Sequence, residues 1–418
     1  MFEVDRKDYI ETLKSKRHNG LVKIITGVRR SGKSYLLFTL YKRCLLEEGI
    51  REEQIIALAL DDFKNRKYHD PEALYDYVIG QIVDDKRYYI LLDEIQLVKD
   101  FESVLNGFLH ISNTDIYVTG SNSKFLSSDI ITEFRGRGDE IRVYPFCFAE
   151  FYSVVGGDKW EAWSKYIRYG GMPHTLDIET AKEKEAYLKG LFNQVYISDI
   201  INRYKLRGQN EIEVLTNILS SSIGALTNPK RICDTFTSER KLKVSQPTIS
   251  KYLTYLEDSF LVSKAMRYDV KGRKYIGTPM KYYFVDVGLR NARLNFRQQE
   301  ETHLMENVIY NELVRRGFSV DVGVVEVSRV NENASVVRKQ LEVDFVANMG
   351  SRRYYVQSAF ELGIPEKIAQ EKSSLIHIED SFKKIIIQRN PVEAWHDEDG
   401  VLRIGLMDFM LNPDSMDW

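Results

Sequence analysis

The chain has 418 residues, of which 43% are hydrophobic and 29% charged. These proportions exclude a disordered or collagen-like chain, and the length predicts two to four domains of roughly 100–200 residues each. Lys and Arg number 59 and Asp and Glu 61, for a formal net charge of −2, which excludes a basic field over the whole molecule and leaves room only for a local one. Cys44, Cys147 and Cys233 are far apart and odd in number, so neither a zinc ribbon nor a disulfide framework is expected. The start, MFEVDRKDYI, is charged and lacks the apolar run of a signal peptide, and no apolar stretch approaches the ~20 residues of a membrane span. A soluble protein of a reducing, cytoplasmic compartment, with no membrane partner, is expected.

The first 150 residues alternate β-rich runs with helical patterns. Strands are predicted at Leu21–Thr26, Ile55–Leu60, Tyr88–Leu92, Asp115–Thr119 and Glu140–Tyr144, with helices such as Lys33–Glu48 and Pro71–Asp84 between them. Strands that are apolar almost throughout predict a parallel α/β sheet covered on both faces. The first strand leads into Gly27-x-x-x-x-Gly32-Lys33-Ser34, which in turn opens a helix. Glycines there let the loop curl so that backbone N–H groups face phosphate oxygens, and the helix start adds its positive dipole end. Gly27, Arg30, Ser31, Gly32, Lys33, Ser34 and Tyr35 are therefore the candidate nucleotide-binding residues, with Lys33 bridging phosphates and Ser34 coordinating Mg²⁺.

YYILLDEIQ then places Asp93 and Glu94 at the end of a buried strand. Asp93 is expected to hold the Mg²⁺ through water and Glu94 to polarise the attacking water, a base that hydrolysis needs. DIYVTGSNS offers Ser121 or Asn122 to orient that water, Asn122 being the candidate catalytic residue. FRGRGDE supplies Arg135 and Arg137, whose guanidinium groups could stabilise phosphoryl charge. Arg137 is the catalytic candidate of the two, acting in cis or as a finger into a neighbouring subunit of a homo-oligomer.

Together, GVRRSGKS, LLDEIQ, VTGSNS, GRG and VYPFCFAEFY resemble the AAA-type ATPases of the bacterial and archaeal "archaeal ATPase" group. YGGMP, VYISDIINR and KYYFVDVGLRNA resemble the uncharacterised domain that usually follows that ATPase. The resemblance covers nearly the whole chain. It implies an AAA-type P-loop fold, binding of ATP with Mg²⁺, a winged-helix module and a C-terminal nuclease-like α/β fold.

Residues 151–225 read as helical, a lid or linker, with segments such as Glu183–Tyr196 and Glu211–Ile223. Residues 226–297 hold fifteen basic residues against six acidic ones, a local charge of +9, whereas residues 391–418 carry −6. Within the basic region Ser245 can cap a helix whose first turn holds Pro247 and whose buried face would be Ile249, Tyr252, Leu253 and Leu256. An apolar run at Phe260–Val262, the basic turn DVKGRK and a strand at Tyr282–Val285 follow, in the order of a winged helix. Lys251, Lys271, Arg273 and Lys274 are the candidate DNA contacts. The alternative is a protein–protein or interdomain role in which this charge faces the acidic tail or a partner.

Over 298–418, Glu306 on a helix, Asp344 at a strand end and Gln357 on the next strand follow the pattern of PD-(D/E)xK nucleases. There the acids hold a metal and a lysine helps activate water. Ala359 occupies the lysine position, so a vestigial site with no cation to assist the water is expected. The domains anticipated are thus an ATPase core (1–150), a helical lid (151–225), a winged helix (226–297) and a nuclease-like unit with an acidic tail (298–418). The leading function is an ATPase whose nucleotide state switches the C-terminal domains on DNA. The alternatives are a nucleotide-gated DNA- or protein-binding platform with slow turnover and an ATP-regulated nuclease.

Overall fold

The structure, a computed structural model, describes residues 2–120, 136–206, 209–240, 243–330, 336–360 and 365–418. Five strands form the first sheet: β1 (Val22–Thr26), β2 (Ile55–Ala59), β3 (Tyr88–Asp93), β4 (Thr114–Thr119) and β5 (Gly138–Arg142). Their order is β2-β3-β4-β1-β5, and every pairing is parallel. All five lie where the apolar runs predict them, within two residues at each end. Because side chains alternate across a strand, one face presents Ile24, Ile90 and Leu92 to Leu74, Leu105 and Phe108, and the other presents Ile25, Leu91 and Tyr117 to Leu13, Leu36 and Tyr41. Both faces are covered, as a parallel sheet requires.

Eight further strands build a mixed sheet: β6 (Val262–Asp269), β7 (Lys274–Phe284), β8 (Ser319–Val330), β9 (Val336–Met349), β10 (Arg352–Ala359), β11 (Lys383–Gln388), β12 (Trp395–His396) and β13 (Leu402–Gly405). They run in the order β12-β13-β11-β10-β9-β8-β6-β7. The helix Glu301–Arg315 lays Met305, Ile309 and Leu313 on Phe345, Val356 and Ile385 of this sheet, and Phe148 and Trp163 from the helices after β5 complete the same core. The fold is thus mixed α/β, with a parallel P-loop-type sheet and a second, mixed sheet.

A third apolar cluster lies between the sheets and joins Leu215, Phe236, Ile249 and Leu256 to Phe284 and Leu289. The helix Gln246–Asp258 forms as its sequence dictates. The Ser245 hydroxyl accepts from Thr248 N–H at 3.3 Å, and Ile249, Tyr252, Leu253 and Leu256 are all buried.

The hairpin that follows differs from expectation. Its second strand begins at Lys274, immediately after the basic turn, and the hairpin is no separate flap. β6 pairs in parallel with β8, Arg267–Asp269 against Val322–Val324, so the hairpin is one edge of the eight-stranded sheet. Val270 explains the attachment, since its side chain is buried beside Val325 and Val343 and its N–H donates to Val324 O at 3.0 Å.

One joint ties these parts together. The Asp286 carboxylate, at the end of β7, accepts from Gly171 N–H at 2.6 Å and from Leu289 N–H at 2.9 Å. Gly288 packs so closely on the Tyr169 carbonyl that a Cβ there would collide with it. Gly288→Ala is therefore expected to cost roughly 3 kcal/mol or more, because neither backbone can retreat. Gly80→Ala, in the helix Pro71–Gln81 with open space around it, should instead be neutral or stabilising by up to about 1 kcal/mol. Thermal melting of the two variants checks the contrast.

Candidate nucleotide site at the end of the parallel sheet

The chain leaves β1 through a loop that needs left-handed backbone at Gly27 (φ 129°), Arg30 (φ 65°) and Gly32 (φ 93°). A Cβ on Gly27 would strike the Val143 carbonyl, so glycine is required both by conformation and by space. The helix that Gly32 caps starts at Lys33, passes through a π-helical stretch (Leu36–Tyr41) and continues to Glu47. The Lys33 ammonium folds back onto the loop and donates to Gly27 O and Val28 O, both at 2.9 Å. Burial pushes its pKa down to about 8, against the pull of the Glu94 and Asp93 carboxylates.

Those carboxylates arrive at the end of β3. Asp93 is buried, which raises its pKa against the opposing pull of the Thr119 and Ser34 hydroxyls, and it accepts a hydrogen bond from the Thr119 hydroxyl. Glu94 turns away from the strand in left-handed backbone (φ 52°); its N–H donates to Thr119 Oγ1 at 3.2 Å, and its carboxylate accepts from the Gln96 amide. The loop, Ser34 and the acidic pair therefore meet at one end of the sheet. The Ser31 hydroxyl is fully buried there without a hydrogen-bond partner. Oxygen donors from Ser34 and Asp93, brought to the same end of the sheet, are the ligand type a hard divalent cation takes.

A cavity of about 260 Å³ opens beside Gly32. Arg30 and Tyr35 line it from the loop side, with Phe2, Val4, Phe146, Leu176 and Tyr187 as its apolar walls. Sequence reasoning missed these walls, which come from the extreme N-terminus and from residues beyond 145; only the YGGMP turn, carrying Pro173 into the lining, signalled them. Arg6 was missed too. Its buried guanidinium donates to Ser31 O (3.1 Å), Tyr144 O (2.7 Å) and the Glu150 carboxylate (3.1 and 3.3 Å) and stacks on Tyr9 and Phe146. It braces the loop from behind, and nothing in the local sequence distinguishes it from a surface arginine.

Comparison with known proteins fits this geometry. Residues 19–152 match the family described as AAA domain, and residues 161–300 a domain of unknown function. An uncharacterized protein of Haemophilus influenzae is 34% identical over 414 residues, spanning 98% of each chain. The protein MJ1544 of Methanocaldococcus jannaschii, also uncharacterized, is 30% identical over 84% of this chain and 77% of that one. The chain belongs to this family of AAA-domain proteins. Among solved structures, the Aeropyrum pernix ORC2 protein in its ADP form covers 72% of this chain and 92% of its own at 9% identity, with a TM-score of 0.34, too low to carry any argument about function.

The remaining candidates of this AAA-domain protein are placed as follows. Ser121, Asn122 and Arg135 lie outside the described residues. Arg137 directly precedes β5; its carbonyl accepts from Val22 N–H at 2.9 Å and its guanidinium donates to Asn106 at 3.0 Å. Since β1 and β5 are parallel, that is the end of the sheet opposite the loop, some ~16 Å away along five residues of strand. Arg137 is thus not brought to the loop within one chain. Lys251, Lys271, Arg273 and Lys274 are all exposed, and the Lys271 ammonium lies 3.3 Å from Glu379 rather than facing the acidic tail.

Glu306, Asp344 and Gln357 do come together and are each about nine-tenths buried. Asp344 N–H donates to Gln357 Oε1 at 3.3 Å, and the Gln357 amide donates to Glu371 at 3.0 Å. Ala359 leaves its own position without a cation, but one arrives from elsewhere in the chain. Lys281 reaches in from β7, 2.8 Å from Glu306. No spacing rule links a residue so far upstream to the motif. Among the described residues no group of three His, Cys, Asp or Glu is placed to hold a metal ion, and no helix is long and apolar enough to cross a membrane.

Lys33 gives a measurable signature. Its folded pKa of about 8 lies below the unfolded value of ~10.4, so between those values the unfolded chain binds the extra proton and stability rises with pH, by up to about 3 kcal/mol. Urea unfolding of the ligand-free protein from pH 7.5 to pH 10 should show this rise, and Lys33→Met should flatten it.

Proposed function

We propose that this protein is a Mg²⁺-dependent ATPase whose nucleotide state sets the arrangement of the segments that follow its AAA domain. The observation that carries the reading is the loop itself, Gly27–Ser34, closed by the Lys33 ammonium and facing Asp93 and Glu94 across the sheet end. Phosphates would accept from the loop N–H groups and take over the Lys33 ammonium from the Gly27 and Val28 carbonyls. The base would enter the apolar cavity between Tyr35 and Tyr187. Ser34 and Asp93 would hold the Mg²⁺, which when bound neutralises charge on the phosphate oxygens. Glu94, its carboxylate fixed by Gln96, would orient and deprotonate the attacking water.

Two contacts support the switching part of the reading. The Tyr196 hydroxyl donates to Arg29 O at 2.8 Å, and Arg29 pairs with Asp199 at 3.1 Å. Both bind the loop to the helical stretch 191–204, so a ligand that reshapes the loop acts on that stretch. A role for Arg137 survives only as a finger into a neighbouring copy.

A DNA partner is a second part of the proposal, supported by element order. The helix Gln209–Ser221, the Thr227–Met280 bridge, the helices Pro229–Arg240 and Gln246–Asp258 and the β6–β7 hairpin follow one another as in a winged helix. Phosphates would meet Lys251 and the turn residues Lys271, Arg273 and Lys274. For the C-terminal sheet, the Glu306–Asp344–Gln357 cluster supports a nuclease-like frame that does not cleave.

Lys33→Ala should abolish ATP binding, and Glu94→Gln should keep binding while lowering hydrolysis by about 10²–10⁴-fold. Equilibrium binding and steady-state phosphate release separate the two, and unaltered turnover in the Glu94 variant rejects it as the base. Replacing Lys271, Arg273 and Lys274 by Ala should reduce the slope of log K against log salt for duplex DNA by up to about 3. An unchanged slope would assign the turn to contacts within the protein.

A further inference from the structure

The charged cluster at Glu306 is built from three elements of the C-terminal sheet region. Glu306 comes from the helix Glu301–Arg315, Glu342 and Asp344 from β9, and Lys281 from β7. The Lys281 ammonium lies 2.8 Å from Glu306 Oε1, 2.8 Å from Glu342 Oε1 and 3.9 Å from Asp344 Oδ1. Tyr283 O–H donates to the same Glu306 oxygen at 2.6 Å, and Ser358 N–H donates to Asp344 Oδ2 at 2.8 Å.

Lys281 is 3% exposed and Glu306 and Asp344 8% each, while the Glu342 side chain, about a third exposed, is the edge of the cluster that meets solvent. On the far side, Gly224 backs onto Glu306 so tightly that a Cβ there would stand 3.0 Å from Oε2. Burial works against charge on Lys281, yet Glu306, Asp344 and Glu342 hold its pKa above the ordinary lysine value.

A divalent cation held by a helix carboxylate and strand carboxylates sits at the point their oxygens share. Here an ammonium occupies that point, 2.8 Å from Glu306 and Glu342 and, with Asp344 at 3.9 Å, within ion-pair distance of all three carboxylates. A lysine that assisted a metal-bound water would have to leave the shared point empty, and this ammonium fills it.

We infer that Lys281 is the permanent cation of this cluster: its ammonium takes the place of the metal, so that the C-terminal sheet is held together without a divalent ion and cuts no nucleic acid. The inference rests on the nuclease-like reading of Glu306, Asp344 and Gln357 proposed above.

Thermal melting of the nucleotide-free full chain with and without about 1 mM MnCl₂ tests it. Wild type should show no Mn²⁺ stabilisation that depends on Asp344. Lys281→Ala should melt lower and regain at least about 3 °C with Mn²⁺, a gain that Asp344→Asn in the same chain removes. Lys281→Gln, which keeps the side-chain length, serves as the second variant. If wild type itself binds Mn²⁺ and Asp344→Asn abolishes that binding, the ammonium does not fill the metal's place; the inference fails while the nuclease-like frame stands. If both Lys281 variants fold and Mn²⁺ stabilises neither, the carboxylates are no metal frame, and the nuclease-like reading falls together with the inference. Should neither variant fold, Mn²⁺ titration of wild type against Asp344→Asn by electron paramagnetic resonance decides. Identical binding upholds the inference, and an Asp344-dependent site overturns it.

Discussion

The arrangement depends most on the buried carboxylate of Asp286. It touches the end of β7, the helix Val287–Arg293 and the glycine turn at 170–171 at once. Burial raises its pKa to about 6, a cost that the N–H donors of Gly171 and Leu289 offset. Its neighbours have no slack. Side chains at Gly170, Gly171 and Gly288 would collide with the Asp286 carboxylate, the Phe146 carbonyl and the Tyr169 carbonyl respectively. Asn291 closes the joint by donating to Ile167 O and Arg168 O. Two residues beyond Gly171 the chain forms the cavity wall with Pro173 and His174. The wall beside the nucleotide site is therefore carried by a turn pinned to the large sheet. A shift of that wall cannot be absorbed locally, because interfaces packed without voids move as units.

The same logic governs the other buried charges. Arg6, Lys33 and Lys281 are almost fully buried, and each is held by several oxygens. Buried ion pairs are weak evidence for stability, since desolvation can exceed the Coulomb gain. What these cations do instead is fix positions. Arg6 holds the loop carbonyl of Ser31 to Tyr144 and Glu150, across 138 to 144 residues of sequence. Lys33 differs from the other two in bonding only backbone carbonyls, with carboxylates near but not paired. It is the cation best placed to be taken over by an anionic ligand.

What was legible in the sequence was local. The parallel strands could be read because each is a short apolar run, and the loop because its glycines and lysine have fixed spacing. The helix Gln246–Asp258 could be read because cap, proline and apolar period agree. What failed was long-range. The alternation in β6 is the same whether its edge is free or paired, so nothing announced that Arg267–Asp269 would join β8. Lys281 and Glu306 meet through tertiary packing alone, and the cavity walls come from both sides of the ATPase sheet. Arg137 is a different case. In a parallel sheet the residue before a strand lies at the end opposite the loop that follows β1, so its distance from the phosphate site was derivable once the topology was known.

Charge counting shows how such reading changes meaning in three dimensions. Residues 226–297 carry a formal +9, which suggests a basic surface. Much of that charge is spent inside the molecule. Lys264 pairs with Glu257, Lys271 with Glu379 and Arg293 with Glu213, while Lys281 sits among three carboxylates. Arg290 is fully buried and donates to the carbonyls of Ser220 and Gln298. The acidic partners lie mostly outside the region that was counted, which is why the count overstated the field. Among the described residues, exposed basic residues without an ion pair remain at Lys230, Arg231, Lys243, Lys251, Arg273, Lys274 and Arg297. Most of them sit on or between the helices and on the turn of the proposed winged helix. A nucleic acid would therefore meet a few discrete cations, and its binding should rest on a small number of phosphate contacts, not on a broad electrostatic attraction.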